Sequence, residues 1–226
     1  MRNFFRTEAA KLKKMNFTDK RQYIWEYYKL QIFFLGLIIF FIGYVINVTL
    51  INPPKREYLY ISWQAHWAPH EQLSALGDNL SAIVENPERY RVFVQSYVQT
   101  GEPQMDQALA TRFFAMLQAG DLHAMVTTRE GLAESAEFGL IKPIQPVLAE
   151  LEALDPILYD YISSRALIIT YTMEDGETFT DAMGICIGGA PLMDASGIIS
   201  DNVYISVIIN SIRHYELAKA LVALFS

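Results

Sequence analysis

The sequence predicts an α/β protein with one N-terminal transmembrane helix, followed by a single three-layer lobe on a mostly parallel sheet. Residues 30–51 form an apolar run without a charged side chain. After it, β-prone stretches alternate with amphipathic helical stretches, the pattern that builds a parallel sheet covered on both faces. The organisation read from this is a basic juxtamembrane arm at 1–29, a span at 30–51, a linker at 52–57 and an extracytoplasmic domain at 58–226.

At about 1.5 Å rise per residue the apolar run makes a helix of roughly 33 Å, enough to cross the hydrocarbon core. Backbone in lipid must satisfy its own hydrogen bonds, which selects a helix. The first 29 residues carry eight bases and three acids, a balance of +5. Basic flanks remain cytoplasmic, so the expected topology is single-pass in the cell membrane, N-terminus inside and the rest outside. Trp25, Tyr27 and Tyr28 stand at the inner boundary, where amphipathic rings settle. A cleaved signal peptide is the competing reading, but the run is long and no small-x-small site follows it. Thr18 is the expected helix cap, with Asp19 in the first turn. Lys11, Lys13, Lys14, Lys20 and Arg21 form a cluster suited to anionic headgroups.

Residues 53–226 number 174, enough for one domain with a real core. They hold 22 acids and 10 bases, or −12, which argues against nucleic acid as a partner. Cys186 is the only cysteine, so no intrachain disulfide forms, and its apolar surroundings read as a buried small hydrophobe.

In chain order, 58–63 reads as a strand and 70–84 as a helix with leucine-type residues at Leu73, Leu76, Leu80 and Ile83. Residues 90–99 alternate as a strand. A helix at 105–119 ends at Gly120; a strand at 121–127 and a helix at 129–138 follow. Residues 140–144 are extended around Pro143, and 147–162 is a helix that Pro156 bends or divides. Strands at 166–173 and 179–187 flank Glu174-Asp175-Gly176-Glu177, a hairpin signal. A loop runs from Gly188 to Asn202, a strand covers 203–209, and Asn210-Ser211 caps a last helix with Leu217, Leu221 and Leu224 inward.

Two stretches carry a resemblance. Residues 115–144 hold Gly120-Asp121-Leu122, with His123 where an Asp is usual, and Gly139-Leu140-Ile141-Lys142-Pro143-Ile144. Residues 204–225, YISVIINSIRHYELAKALVALF, look like a return strand and its following helix. Both resemble bacterial extracellular solute-binding proteins of ABC importers, and the arm and span resemble tethered small membrane proteins of Firmicutes. That family usually has two lobes, and 174 residues hold one. The resemblance implies a membrane-tethered, periplasmic-binding-protein-like lobe that holds a small solute such as a sugar or peptide, or feeds a transporter permease. The alternative is an accessory or scaffold subunit that uses the same face against a membrane protein.

In open parallel sheets ligands sit beyond the carboxyl ends of the strands. The residues so placed are Trp63, Gln64, His66, Trp67, Thr127 and Thr128: two indoles for stacking, the others for hydrogen bonds. They compete with ordinary core and loop packing. His66 and His70 are four apart, but Pro69 intervenes and no third ligand presents itself, so no metal is assigned. His123 reads as a satisfied core or edge residue of a strand and His214 as part of an exposed helical turn. The Gly-x-Ser-x-Gly, P-loop and His-Glu-x-x-His signatures are missing, so no enzymatic activity and no cofactor are assigned.

Overall fold

The computed structural model describes residues 15–226 except 85, 173–175 and 199–201. The chain divides into two compact units, Met1–Pro54 and Lys55–Ser226. The first contains helix α1, Phe17–Ile46, continued as π-helix over Asn47–Ile51. None of its residues is buried, and its apolar side chains point out on every side. It is long and apolar enough to cross a membrane, which fits a membrane anchor or a signal sequence. Asn16 rather than Thr18 precedes the first turn, and no side chain caps it. At the other end the Thr49 hydroxyl donates to the Val45 carbonyl (2.6 Å) and the Asn52 backbone N–H donates to the Asn47 carbonyl (2.7 Å). These bonds meet part of the demand that the end of a helix leaves open, before Pro53-Pro54 stops it. Lys11, Lys13 and Lys14 lie outside the described residues.

The second unit is α/β with a mixed sheet of seven strands. β1 (Arg56–Trp63), β2 (Tyr90–Ser96) and β3 (Ala124–Thr128) are parallel, with β1 in the middle. β7 (Val203–Ile208) runs antiparallel to β3, to β4 (Ile141–Lys142) and to β6 (Thr178–Cys186), and β6 is antiparallel to β5 (Ala166–Thr172). The expected mostly parallel sheet is therefore parallel only in its first half. The physical reason is the hairpin. Strands joined by a short turn pair antiparallel, and only a long crossover makes neighbours parallel. Helical crossovers join β1 to β2 and β2 to β3, whereas β5 turns straight into β6. Gly176 adopts φ +86° at that turn; Glu174 and Asp175 lie outside the described residues.

Alternation along the strands sends two buried clusters to opposite faces. Leu59, Ile61, Trp63, Ala124, Val126, Ile205 and Val207 join the larger cluster. It is completed by α2 (His70–Leu80), α5 (Gln145–Leu154), α6 (Pro156–Ser163), the short α7 (Pro191–Ala195) and α8 (His214–Phe225). Tyr60, Met125, Met183 and Ile208 join the smaller cluster, under α3 (Pro103–Ala119) and α4 (Arg129–Glu137). Met183 and Ile185 share a parity yet face opposite ways, because a register shift between Leu167 and Ile168 inserts Met183 as a bulge.

Pro156 divides the predicted long helix: Asp155 leaves the helical region and its carboxylate accepts from the N–H groups of Ile157 and Leu158. α7 occupies the stretch expected to be loop. The last helix starts at His214, later than expected, and no side chain caps it. Asn210 instead donates to the Leu117 carbonyl, and Ser211 accepts from the Arg213 N–H. Leu217, Leu221 and Leu224 are buried as expected.

Candidate functional site

The order β2-β1-β3 fixes where a ligand-binding crevice belongs. The chain leaves β1 through α2, which packs into the larger cluster, to reach β2 on one side. It leaves β2 through α3, which packs into the smaller cluster, to reach β3 on the other side of β1. Successive crossovers thus lie on opposite faces. The loops at the carboxyl ends of β1 and β3 part there, the topological switch point at which open α/β sheets take ligands.

The register pairs Trp63 with Val126, and the Gln64 N–H extends the ladder to the Val126 carbonyl at 2.7 Å. This brings Gln64 and the loop after it next to Thr127 and Thr128. Of the six predicted site residues, two do not face outward. Trp63 is wholly buried, and its indole N–H donates to the His66 carbonyl at 2.7 Å. Its ring meets the His66 imidazole edge-on at 5.3 Å. Trp63 therefore lies beneath the loop, where its inward parity carries it into the core. Thr127 is buried too, 4% exposed.

Gln64 and His66 are half-buried at the rim, and Trp67 is 75% exposed. Thr128 caps α4, its hydroxyl accepting from the Gly131 N–H at 3.2 Å. Gly131 was not singled out by the sequence. A Cβ there would stand 2.3 Å from the Thr127 hydroxyl, so the first turn of α4 can lie against Thr127 only as glycine. Asp106 orders the neighbouring loop after β2: its carboxylate accepts from the N–H groups of Thr100 and Gly101 and from the Thr100 hydroxyl. Those bonds hold the Asp106 carboxyl below its usual range.

The other singled-out residues lie elsewhere. His70 opens α2 on the surface. His123 is 8% exposed; its Nδ1 accepts from the Tyr60 N–H at 2.9 Å, as expected for a satisfied core residue. His214 is half-buried, with Nε2 out of contact with water and unpartnered, which corrects its reading as exposed. Cys186 is half-buried at the end of β6, 3.8 Å from the Arg165 guanidinium, because that strand end sits at the edge of the core.

No protein family, curated protein or solved structure matches this chain.

Proposed function

We propose that the chain is a membrane-anchored binding module. Its span is α1 with the π-helical turn, its N-terminus is cytoplasmic, and its lobe stands outside, holding a small solute at the switch point, as in one lobe of a solute-binding protein. The observation that carries this reading is that α2, after β1, and α4, after β3, pack on opposite faces, which sets Gln64, His66, Trp67 and Thr128 at the switch point. The resemblance adds weight. The stretch read as a return strand runs antiparallel beside β3, and α8 follows it.

The exposed Trp67 favours a second reading. A lone indole on a loop is a common anchor in protein interfaces, so the same rim would serve an accessory subunit of a membrane complex, such as a transporter.

Thermal unfolding of the full chain in lipid nanodiscs, against panels of sugars, amino acids and peptides, separates the two. A solute at about 100 times its dissociation constant stabilises the native state by about 2.7 kcal/mol. A domain of this size gains roughly 2–4 °C per kcal/mol, so a bound solute raises Tm by about 5–10 °C. Loss of that shift in Trp67→Ala places the solute at the rim. No shift with any panel, together with a membrane protein that co-purifies with the wild type and is lost in Trp67→Ala, selects the second reading.

A further inference from the structure

β5 ends the sheet on the side away from β2, with β6 as its strand neighbour. The phase of that ladder follows from its first bond, in which the Cys186 N–H donates to the Arg165 carbonyl. β5 itself has no bulge, since the extra residue, Met183, lies on β6. Arg165, Leu167, Ile169 and Tyr171 therefore direct their peptide groups at β6, and Ala166, Ile168, Thr170 and Thr172 direct theirs outward. The threonines agree with this phase. Thr170 meets Thr180 at 2.9 Å and Thr172 meets Thr178 at 3.1 Å through their hydroxyls, the close approach of non-hydrogen-bonded pairs. Among the described residues, the backbone of β5 is hydrogen-bonded only to β6.

α4 covers one face of this hairpin, over Ile169 and Tyr171. On the other face Ile168 is 65% exposed, and Thr170, Thr172, Thr178 and Thr180 are exposed beside it. Open edges are ordinarily guarded by a charge, a proline or a bulge on the edge strand. Ala166–Thr172, ALIITYT, carries none of these. Its surroundings favour a particular occupant. Residues 53–226 hold 22 acids and 10 bases, so two copies of the lobe repel over most of their surface. β5 and the exposed threonines of β6 add no charge, and Asp181 of β6 turns to the covered face, where it bonds Tyr171. Two copies therefore meet least repulsion at this edge. The strand is also its own antiparallel complement. In the full-length register Ala166 stands opposite Thr172 and Ile168 opposite Thr170, with Ile169 opposite itself on the twofold axis. These are pairs of β-branched side chains, the kind that stabilises sheets.

We propose that β5 is the contact of a twofold dimer, pairing antiparallel with β5 of a second copy so that two sheets join into one. The outward N–H and C=O groups of Ala166, Ile168, Thr170 and Thr172 bond to those of the second copy, as an isologous contact requires. One strand is a narrow contact, so the dimer forms and dissociates with protein concentration. The edge lies away from the switch point and does not depend on the solute reading of it.

The test is residue-resolved amide exchange on the full chain in detergent micelles, from dilute to concentrated protein, with thiol cross-linking beside it. The amides of Ile168, Thr170 and Thr172 should exchange on the order of tenfold more slowly in the concentrated sample. That response should vanish in Ile168→Lys, which sets a charge on an exposed side chain of the edge and leaves the core alone. In a Cys186→Ser background, Thr170→Cys should be joined by a bis-maleimide reaching about 8 Å, the span of diagonal neighbours on antiparallel strands. Thr111→Cys, exposed on α3, is the control. The exchange measurement uses the wild-type chain, so it stands if a variant folds poorly. Exchange at these amides that ignores concentration, or Thr170→Cys that links no faster than Thr111→Cys, overturns the proposal. So does protection that persists at high dilution with a different polypeptide bound, which would give the edge to another partner.

Discussion

Gly77 and His123 show how much of this fold rests on single atoms. A glycine inside a helix ordinarily costs about 1 kcal/mol relative to alanine, so Gly77→Ala would stabilise an isolated α2. Here the added methyl meets the Val92 carbonyl oxygen, which is backbone and cannot rotate away. Overpacking of this kind costs typically 1–3 kcal/mol, more than the helix gains. Gly77→Ala is therefore expected to lower stability, read as a lower urea midpoint at unchanged m-value. His123 predicts a pH effect. Burial lowers its pKa from the ordinary 6.5, with Arg213 adding to the shift and Glu216 and Asp121 opposing it. The unfolded chain then takes up the proton first as pH falls. Native stability from this group is full above about 6.5 and is lost as pH drops through that value toward the folded pKa. Protonation also places a hydrogen on Nδ1, which now accepts from the Tyr60 N–H. His123→Asn keeps an acceptor near that point but does not titrate. Urea midpoints measured at pH 7.5 and 5.5 should diverge less in this variant than in the wild type. His214, also lowered by burial, retains part of the slope.

Among the elements, the divided helix tests how far a local signal reaches. Pro156 lacks an N–H and Asp155 supplies the cap, so α6 starts afresh instead of continuing α5. Asp155→Ala removes an acceptor from Ile157 and Leu158 and should cost about 0.5–2 kcal/mol, measurable by thermal unfolding. Features of this range were legible in the sequence: the Pro156 break, the Gly120 stop at φ +76°, the β5–β6 pairing and the apolar face of α8. Strand direction was less legible, because β-propensity says nothing of polarity and β7 finds its neighbours from distant parts of the chain. The start of α8 was misread for a similar reason. Asn210 has the chemistry of a cap, but the Leu117 carbonyl, 93 residues away in sequence, engages its amide. At the candidate site the sequence located the strand ends but not which side chains face outward. Trp63 and Trp67 look equivalent in the chain, yet one is core and the other surface. Gly131 and Asp106 escaped notice because their roles are to position neighbouring backbone.

For the whole molecule the deciding quantity is where charge sits relative to grease. A balance of +5 precedes the apolar run and −12 follows it. Retaining the arm, with its eight bases, on the cytoplasmic side is the arrangement the positive-inside rule favours. α1 with its π-helical turn spans 35 residues, about 52 Å at helical rise, well beyond the roughly 30 Å hydrocarbon core. In the proposed topology the excess puts the basic N-terminal turns, with the exposed Trp25 and Tyr27, at the inner headgroups. Protease added to intact cells should therefore remove the lobe and spare an epitope placed on the arm. The chain recovered from carbonate-washed membranes should keep its full 25.8 kDa. Replacing Lys11, Lys13, Lys14, Lys20 and Arg21 by Gln removes the asymmetry, and a fraction of chains should then hold the lobe inside, protected until lysis. A soluble fragment lacking residues 1–52 would identify the apolar helix as a cleaved signal sequence. A wild-type lobe that resists protease on intact cells and yields after lysis would place it on the cytoplasmic side.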